Sequence, residues 1–96
     1  MIVGVDIGTQ SMEVVITDNH LTVLGEAASA YQPTFPKPGW AEQNPNDWEQ
    51  ALAPTIAQAL DSAALKPGNI RALGIGEQLD GCVAIDKKGR PVHHRM

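Results

Sequence analysis

The chain has 96 residues, 43% of them hydrophobic and 4% aromatic, and a formal net charge of -4. That length holds one domain at most, with an aliphatic core and a thin stability margin. The acidic balance speaks against a nucleic-acid partner, which needs a clustered basic face, and only Lys87, Lys88 and Arg90 stand together here, around Gly89 in a polar turn.

The opening Met1-Ile2-Val3-Gly4-Val5-Asp6 lacks the charged start and long apolar run of a secretion signal. No later segment has the length of an apolar membrane span. A cytoplasmic protein with no membrane partner is the expectation. Residues 2–7 form a short aliphatic run closed by Gly8 and read as a buried strand. Residues 13–17 are rich in β-branched side chains and end in the turn former Asp18-Asn19-His20. Residues 21–31 resume extended character, weakened by Gly25 and small residues. Short links between the three favour an antiparallel meander.

Residues 32–44 hold Pro33, Pro36, Pro38 and Gly39 and read as a loop. Asn44 has the character of a helix N-cap, with Pro45 at the first helical position and Asp47 in the first turn. Trp48, Ala51, Leu52, Thr55, Ile56, Ala59, Leu60 and Ala63 follow at helical spacing and should face a sheet. Pro54 lacks the donor for the residue four before it, which predicts a kink or local break. Lys66-Pro67-Gly68-Asn69 should stop the helix. Residues 70–75 read as a strand reached through a crossover helix, and therefore parallel to its neighbour. Residues 76–81 form a turn-prone loop, 82–85 a short strand, 86–90 a turn, and Pro91-Val92 its return partner. The single cysteine, Cys82, excludes an internal disulfide and is expected to be a small buried thiol. His93 and His94 are adjacent, so in an extended chain they point opposite ways and make a poor metal pair.

A meander of three strands, a crossover helix, a parallel strand and a hairpin make the opening of an α/β domain of RNase H-like fold. Such a unit continues with further helices and strands. The chain is therefore expected to be the amino-terminal part of a longer protein, with one face of its sheet uncovered.

The most specific feature is Asp6-Ile7-Gly8-Thr9-Gln10-Ser11 between two strands. Gly8 permits a tight turn and close backbone approach. Successive turn amides can form an anion-binding concavity, and Thr9, Gln10 and Ser11 add side-chain donors. Asp6, at the end of the first strand, is placed to hold magnesium, which prefers oxygen ligands and keeps several waters. A plain hairpin explains the same residues, because Asp, Gly, Thr and Ser are common in turns.

Three stretches in register separate the two readings. Val3 to Ser11 (VGVDIGTQS) resembles the first phosphate motif of the FGGY carbohydrate kinases, which include xylulose, glycerol, gluconate and ribulose kinases. Pro38-Gly39-Trp40-Ala41-Glu42-Gln43-Asn44-Pro45 is similar to the family's Gly-Trp, Glu, Asp-Pro stretch. Ile70 to Gly81 (IRALGIGEQLDG) is similar to its Ile, Gly-Ile, Gln, Gly segment. The resemblance runs through nearly the whole chain, with the xylulose kinase branch as the nearest match.

The resemblance implies an actin/hexokinase-like ATPase domain of a sugar kinase that uses ATP and magnesium. Asp6, Gly8, Thr9, Gln10 and Ser11 match the nucleotide side, with Asp6 toward the metal. Gln78, Leu79 and Asp80 match the loop that contacts sugar hydroxyls. The general base, an Asp, would lie beyond residue 96, so this piece alone would be inactive. A sugar or polyol and ATP are the implied partners, and the full-length protein would be a homodimer. Two departures stand out. Xylulose kinases carry Met-His where this chain has Leu79-Asp80, although glycerol kinases carry an acid there. Where the family commonly has Lys or Arg, this chain has Glu13, which favours a non-catalytic sugar-sensing relative as the alternative. A nuclease would need several carboxylates around two metals, and only Asp6 is suitably placed. An actin-like filament protein would keep the ATP loop without a sugar loop. Trp40 and Trp48 read as packing residues.

Overall fold

Alternate burial along the first two strands sets the architecture. The computed structural model describes residues 1–78 and 82–92. Strand β1 spans Ile2–Ile7, β2 Ser11–Thr17 and β3 Val23–Ala30; helix α1 spans Pro45–Ser62, and β4 spans Ala72–Gly76 after a single 3-10 turn at Pro67–Asn69. The sheet order is β3-β2-β1-β4, antiparallel within the meander and parallel between β1 and β4. This is the expected topology.

Val3, Val5, Met12, Val14 and Ile16 are buried beneath Ala59 and Leu60 of α1. Their β1 neighbours Gly4 and Asp6 are exposed. The strand read as buried is thus buried on one side only, because α1 packs over β2 and β3 and nothing described covers the opposite face. β4 is exposed along its whole length, including Leu73 and Ile75. Cys82 is likewise exposed, not buried, since it follows this uncovered strand.

Gly25 shows why β3 can carry small residues. A Cβ there would stand 2.5 Å from the Ala59 carbonyl oxygen and 2.7 Å from the Ala63 Cβ. The missing side chain lets the helix backbone settle directly on the strand. The only register irregularity in the β2–β3 pairing lies at Ile16/Thr17.

The helix begins as its sequence dictates. The Asn44 side chain accepts from the Asn46 amide at 3.0 Å, and Pro45 opens the first turn. Thr55 is fully buried on the sheet face. Its hydroxyl donates to the Ala51 carbonyl at 2.6 Å, so its oxygen is left to accept from Ser29 on β3, also at 2.6 Å. Trp48, Ala51, Leu52 and Ile56 pack against the core as expected. The expected break at Pro54 does not occur: the helix runs through it. Pro54 and Gln50 both lie on the exposed side, where water can satisfy the carbonyl that proline leaves without a donor.

The helix ends before the Lys66-Pro67 signal. Ala64 takes a left-handed φ of 55°, with Leu65 N–H bonded to the Leu60 carbonyl and Ala64 N–H to that of Asp61. This six-to-one and five-to-two pattern is the usual helix stop, built here without the usual glycine.

The expected terminal hairpin reduces to one bridge, Ile85 to Pro91. The bridge is flanked by the Asp86 N–H to the Arg90 carbonyl at 2.8 Å and the Val92 N–H to the Ala84 carbonyl at 2.9 Å, and the Asp86 carboxylate takes the amides of Lys88 and Arg90 in the turn. The side chains of Trp40 and Lys37 stand apart from the core, with the Lys37 ammonium 4.7 Å from the ring centroid; Trp40 is exposed and not a core residue. Leu79, Asp80, Gly81, His93 and His94 lie outside the described residues. Among the described residues, no helix is long and apolar enough to cross a membrane.

Candidate functional site

The site is the link between β1 and β2, and its form follows from where its carbonyls go. Gly8 N–H donates to the Ser11 carbonyl at 2.9 Å and closes the hairpin. A Cβ at Gly8 would stand 2.9 Å from that same oxygen, so the turn requires glycine.

Tyr31, just past the end of β3, holds three loop carbonyls. Its hydroxyl lies 2.6 Å from the Gly8 carbonyl oxygen and 3.0 Å from that of Ser11, while its backbone N–H donates to Gln10 at 3.0 Å. Gln78, two residues past β4, donates its side-chain amide to the Gly8 carbonyl at 2.8 Å. Gln78 and Gln43 also exchange two reciprocal amide hydrogen bonds, at 2.9 and 2.8 Å. Gln43 is nearly buried in the turn that leads into α1.

Every peptide bond described is trans. In a trans peptide the carbonyl and the next N–H point in opposite directions. With the Gly8 and Gln10 carbonyls turned toward Tyr31 and Gln78, the Thr9 and Ser11 amides are turned the other way. Thr9 and Gln10 are exposed. The Thr9 amide is thus directed away from the held Gly8 carbonyl, an orientation an anion site can use.

Asp6 is the penultimate residue of β1, beside this loop, and is exposed. Its cross-strand partner is Glu13, and its partner on β4 is Gly76. Both carboxylates line a shallow groove on the uncovered sheet face, floored by Gly4, Gly74 and Gly76. A Cβ at Gly4 or Gly74 would meet nothing, so these glycines leave backbone open to close approach. The Tyr31 hydroxyl keeps its proton above the usual tyrosine range, first because it is partly buried and then because Asp6 and Asp47 are negative nearby. It is a donor at neutral pH.

Among the described residues no three His, Cys, Asp or Glu side chains cluster as a protein-only metal cage. Magnesium binds through one or two carboxylates together with substrate phosphates and water. Asp6 suits that mode.

The structure thus gathers Asp6, Gly8, Thr9, Gln10, Ser11 and Gln78 into one region. Gln78, expected on the sugar side, donates its side-chain amide to the Gly8 carbonyl of the first hairpin. Leu79 and Asp80 fall outside the described residues. Sequence reasoning missed Tyr31 and Gln43. Tyr31 is the sole tyrosine of an aromatic-poor chain, which was the available signal. Gln43 lay inside a recognised motif but carried no pattern pointing to Gln78.

A meander and parallel strand over one crossover helix, with a glycine turn at the first hairpin, define the opening of a domain of actin/hexokinase-like fold. Residues 1–95 match the N-terminal domain of the FGGY family of carbohydrate kinases, and the chain belongs to that family. It is 36% identical over 96 residues to a glycerol kinase of Pediococcus pentosaceus, and 33% identical over 95 residues to one of Thermococcus onnurineus. In both cases it covers 99% of its own length and 19% of the relative's. It superposes on a xylulose kinase from Brucella ovis with a TM-score of 0.91 at 24% identity, over 98% of this chain and 20% of that one. A xylulose kinase from Rhodospirillum rubrum gives 0.85 at 25% identity, over 97% and 19%.

Proposed function

We propose that the full-length protein transfers the γ-phosphoryl group of ATP to a hydroxyl of a small sugar or polyol. One observation carries the reading: in a chain of this family, the first hairpin turns its carbonyls inward onto Tyr31 and Gln78 and its Thr9 amide outward. In this reading the Thr9 and Ser11 amides and hydroxyls, with the Gln10 side chain, take phosphate oxygens. Asp6 holds the magnesium that neutralises them. Phosphoryl transfer asks a protein mainly for positioning and charge neutralisation, and this segment contributes both. The general base, an Asp, lies beyond residue 96, and the protein works as a homodimer.

Gln78, Leu79 and Asp80 form the sugar side, with Gln78 acting through its hold on the loop. Asp80 offers only acceptors and suits a substrate that presents hydroxyl donors. The names of the relatives and structural neighbours include glycerol, xylulose and gluconate kinases, the first two recurring most. A xylulose-like ketose and glycerol are therefore the first two substrates to test. Release of ADP that depends on one of them, measured with magnesium present, supports the reading; ADP release indifferent to every sugar contradicts it.

A second reading has its own observation. Glu13 stands across from Asp6 on the open face, where a second negative charge opposes polyphosphate. A sugar-sensing relative that has given up ATP would tolerate this. Calorimetry that finds sugar binding without MgATP binding would favour it.

A further inference from the structure

We propose that Tyr31 is a positioning residue for the nucleotide: its hydroxyl, acting with the Gln78 amide on the Gly8 carbonyl, aims the Thr9 amide at phosphate. The inference deepens the kinase reading and rests on it for the identity of the anion. It is independent of which sugar is used.

The geometry is specific. A carbonyl oxygen has two lone pairs, and the Gly8 oxygen receives two donors, Tyr31 at 2.6 Å and Gln78 at 2.8 Å. Because the peptide is planar and trans, fixing this oxygen fixes the direction of the Thr9 N–H. Tyr31 also reaches the Ser11 carbonyl at 3.0 Å, so one hydroxyl spans both ends of the turn. The Gly8 N–H to Ser11 bond closes the hairpin without it. Loss of the hydroxyl should therefore let the Thr9 peptide rock while the strands stay paired.

Gln78 adds a second consequence. It comes immediately before Leu79 and Asp80 in the chain, and its own amide links the chain just after β4 to the phosphate loop across 70 residues. The hydrogen bonds described for Tyr31 go to the first hairpin. The two substitutions should differ in what they disturb.

The experiment is calorimetric titration of the full-length protein with MgADP, and separately with glycerol and D-xylulose, for wild type, Tyr31→Phe and Gln78→Leu. Thermal midpoints and sugar-dependent ADP release are measured alongside. Tyr31→Phe is expected to weaken MgADP about tenfold, the scale of one lost hydrogen bond, with sugar affinity unchanged. Gln78→Leu is expected to weaken both. Equal MgADP affinity in wild type and Tyr31→Phe overturns the inference. So does parallel loss of both ligands in Tyr31→Phe with a lowered midpoint, which marks a merely structural role. Failure of the wild type to bind MgADP overturns the inference and the kinase reading together. If the wild type binds MgADP but no sugar provokes ADP release, the kinase reading falls, and the clamp stands or falls on the MgADP comparison alone.

Discussion

Gln43 and Gln78 meet amide to amide, each donating to the other, at 2.9 and 2.8 Å across 35 residues of chain. The pair joins the turn before α1 to the segment after β4, and Gln78 carries it on to Gly8. Three parts of the sequence that resemble one family in three separate motifs are thus one hydrogen-bonded unit in space. Substituting Gln43→Leu removes both bonds from Gln78 in a part-buried setting. A loss of about 1–3 kcal/mol is expected, the scale of two hydrogen bonds at about 0.5–1.5 kcal/mol each. Urea denaturation measures it, and an unchanged midpoint would show that the pair contributes nothing.

Glu13 and Asp6 are cross-strand partners on the uncovered face, close to the loop assigned to phosphate. Glu13→Lys replaces a repelling charge with an attracting one. The KM for MgATP should fall about two- to fivefold, as befits exposed charges. The gain should shrink as salt is raised. A KM that does not move would place Glu13 outside the nucleotide's field.

Gly25 has the helix backbone against it, with the Ala59 carbonyl oxygen 2.5 Å from where a Cβ would stand. Gly25→Ala must push α1 off β3. Overpacking of this kind costs about 1–3 kcal/mol. The Ser29–Thr55 hydroxyl contact should loosen with it. A neutral substitution would mean that helix and strand are not fixed against each other.

Much of this was legible in the sequence. Glycine, proline and asparagine marked the turn at Gly8 and the cap at Asn44, and the residue pattern placed the four strands in order, while the short strand read at 82–85 is only the Ile85 bridge. Two kinds of feature were not. Pro54 looked disruptive because propensity ignores which side of the helix meets water. β1 looked fully buried because the hydrophobicity of a run does not tell how many faces have a cover, and Gly4 carries no polar signal. Tyr31 and Gln43 act through backbone carbonyls and one another, and such contacts have no sequence period.

Tyr31 gives a prediction about pH. Burial first, then the negative charges of Asp6 and Asp47, make its hydroxyl hold its proton more tightly than the ordinary value of 10.0. The folded chain binds that proton more strongly than the unfolded one, so the stabilisation is complete below about pH 10 and fades as pH climbs through the raised value. The stability difference between wild type and Tyr31→Phe should be constant from about pH 6 to 9 and shrink above 10. A difference that grows in alkali would mean that the fold favours the phenolate, and would contradict donation by the Tyr31 hydroxyl to Gly8.

The most direct test is sugar-dependent ADP release by the full-length protein, with MgATP and a panel of glycerol, xylulose and other ketoses, polyols and sugar acids, beside its Gly8→Ala variant. The prediction is turnover on one panel member by the wild type. Gly8→Ala, whose Cβ would stand 2.9 Å from the Ser11 carbonyl oxygen, should lose about a hundredfold. Silence of the wild type across the panel, or full activity in Gly8→Ala, would contradict the assignment of this hairpin as the phosphate site of a sugar kinase.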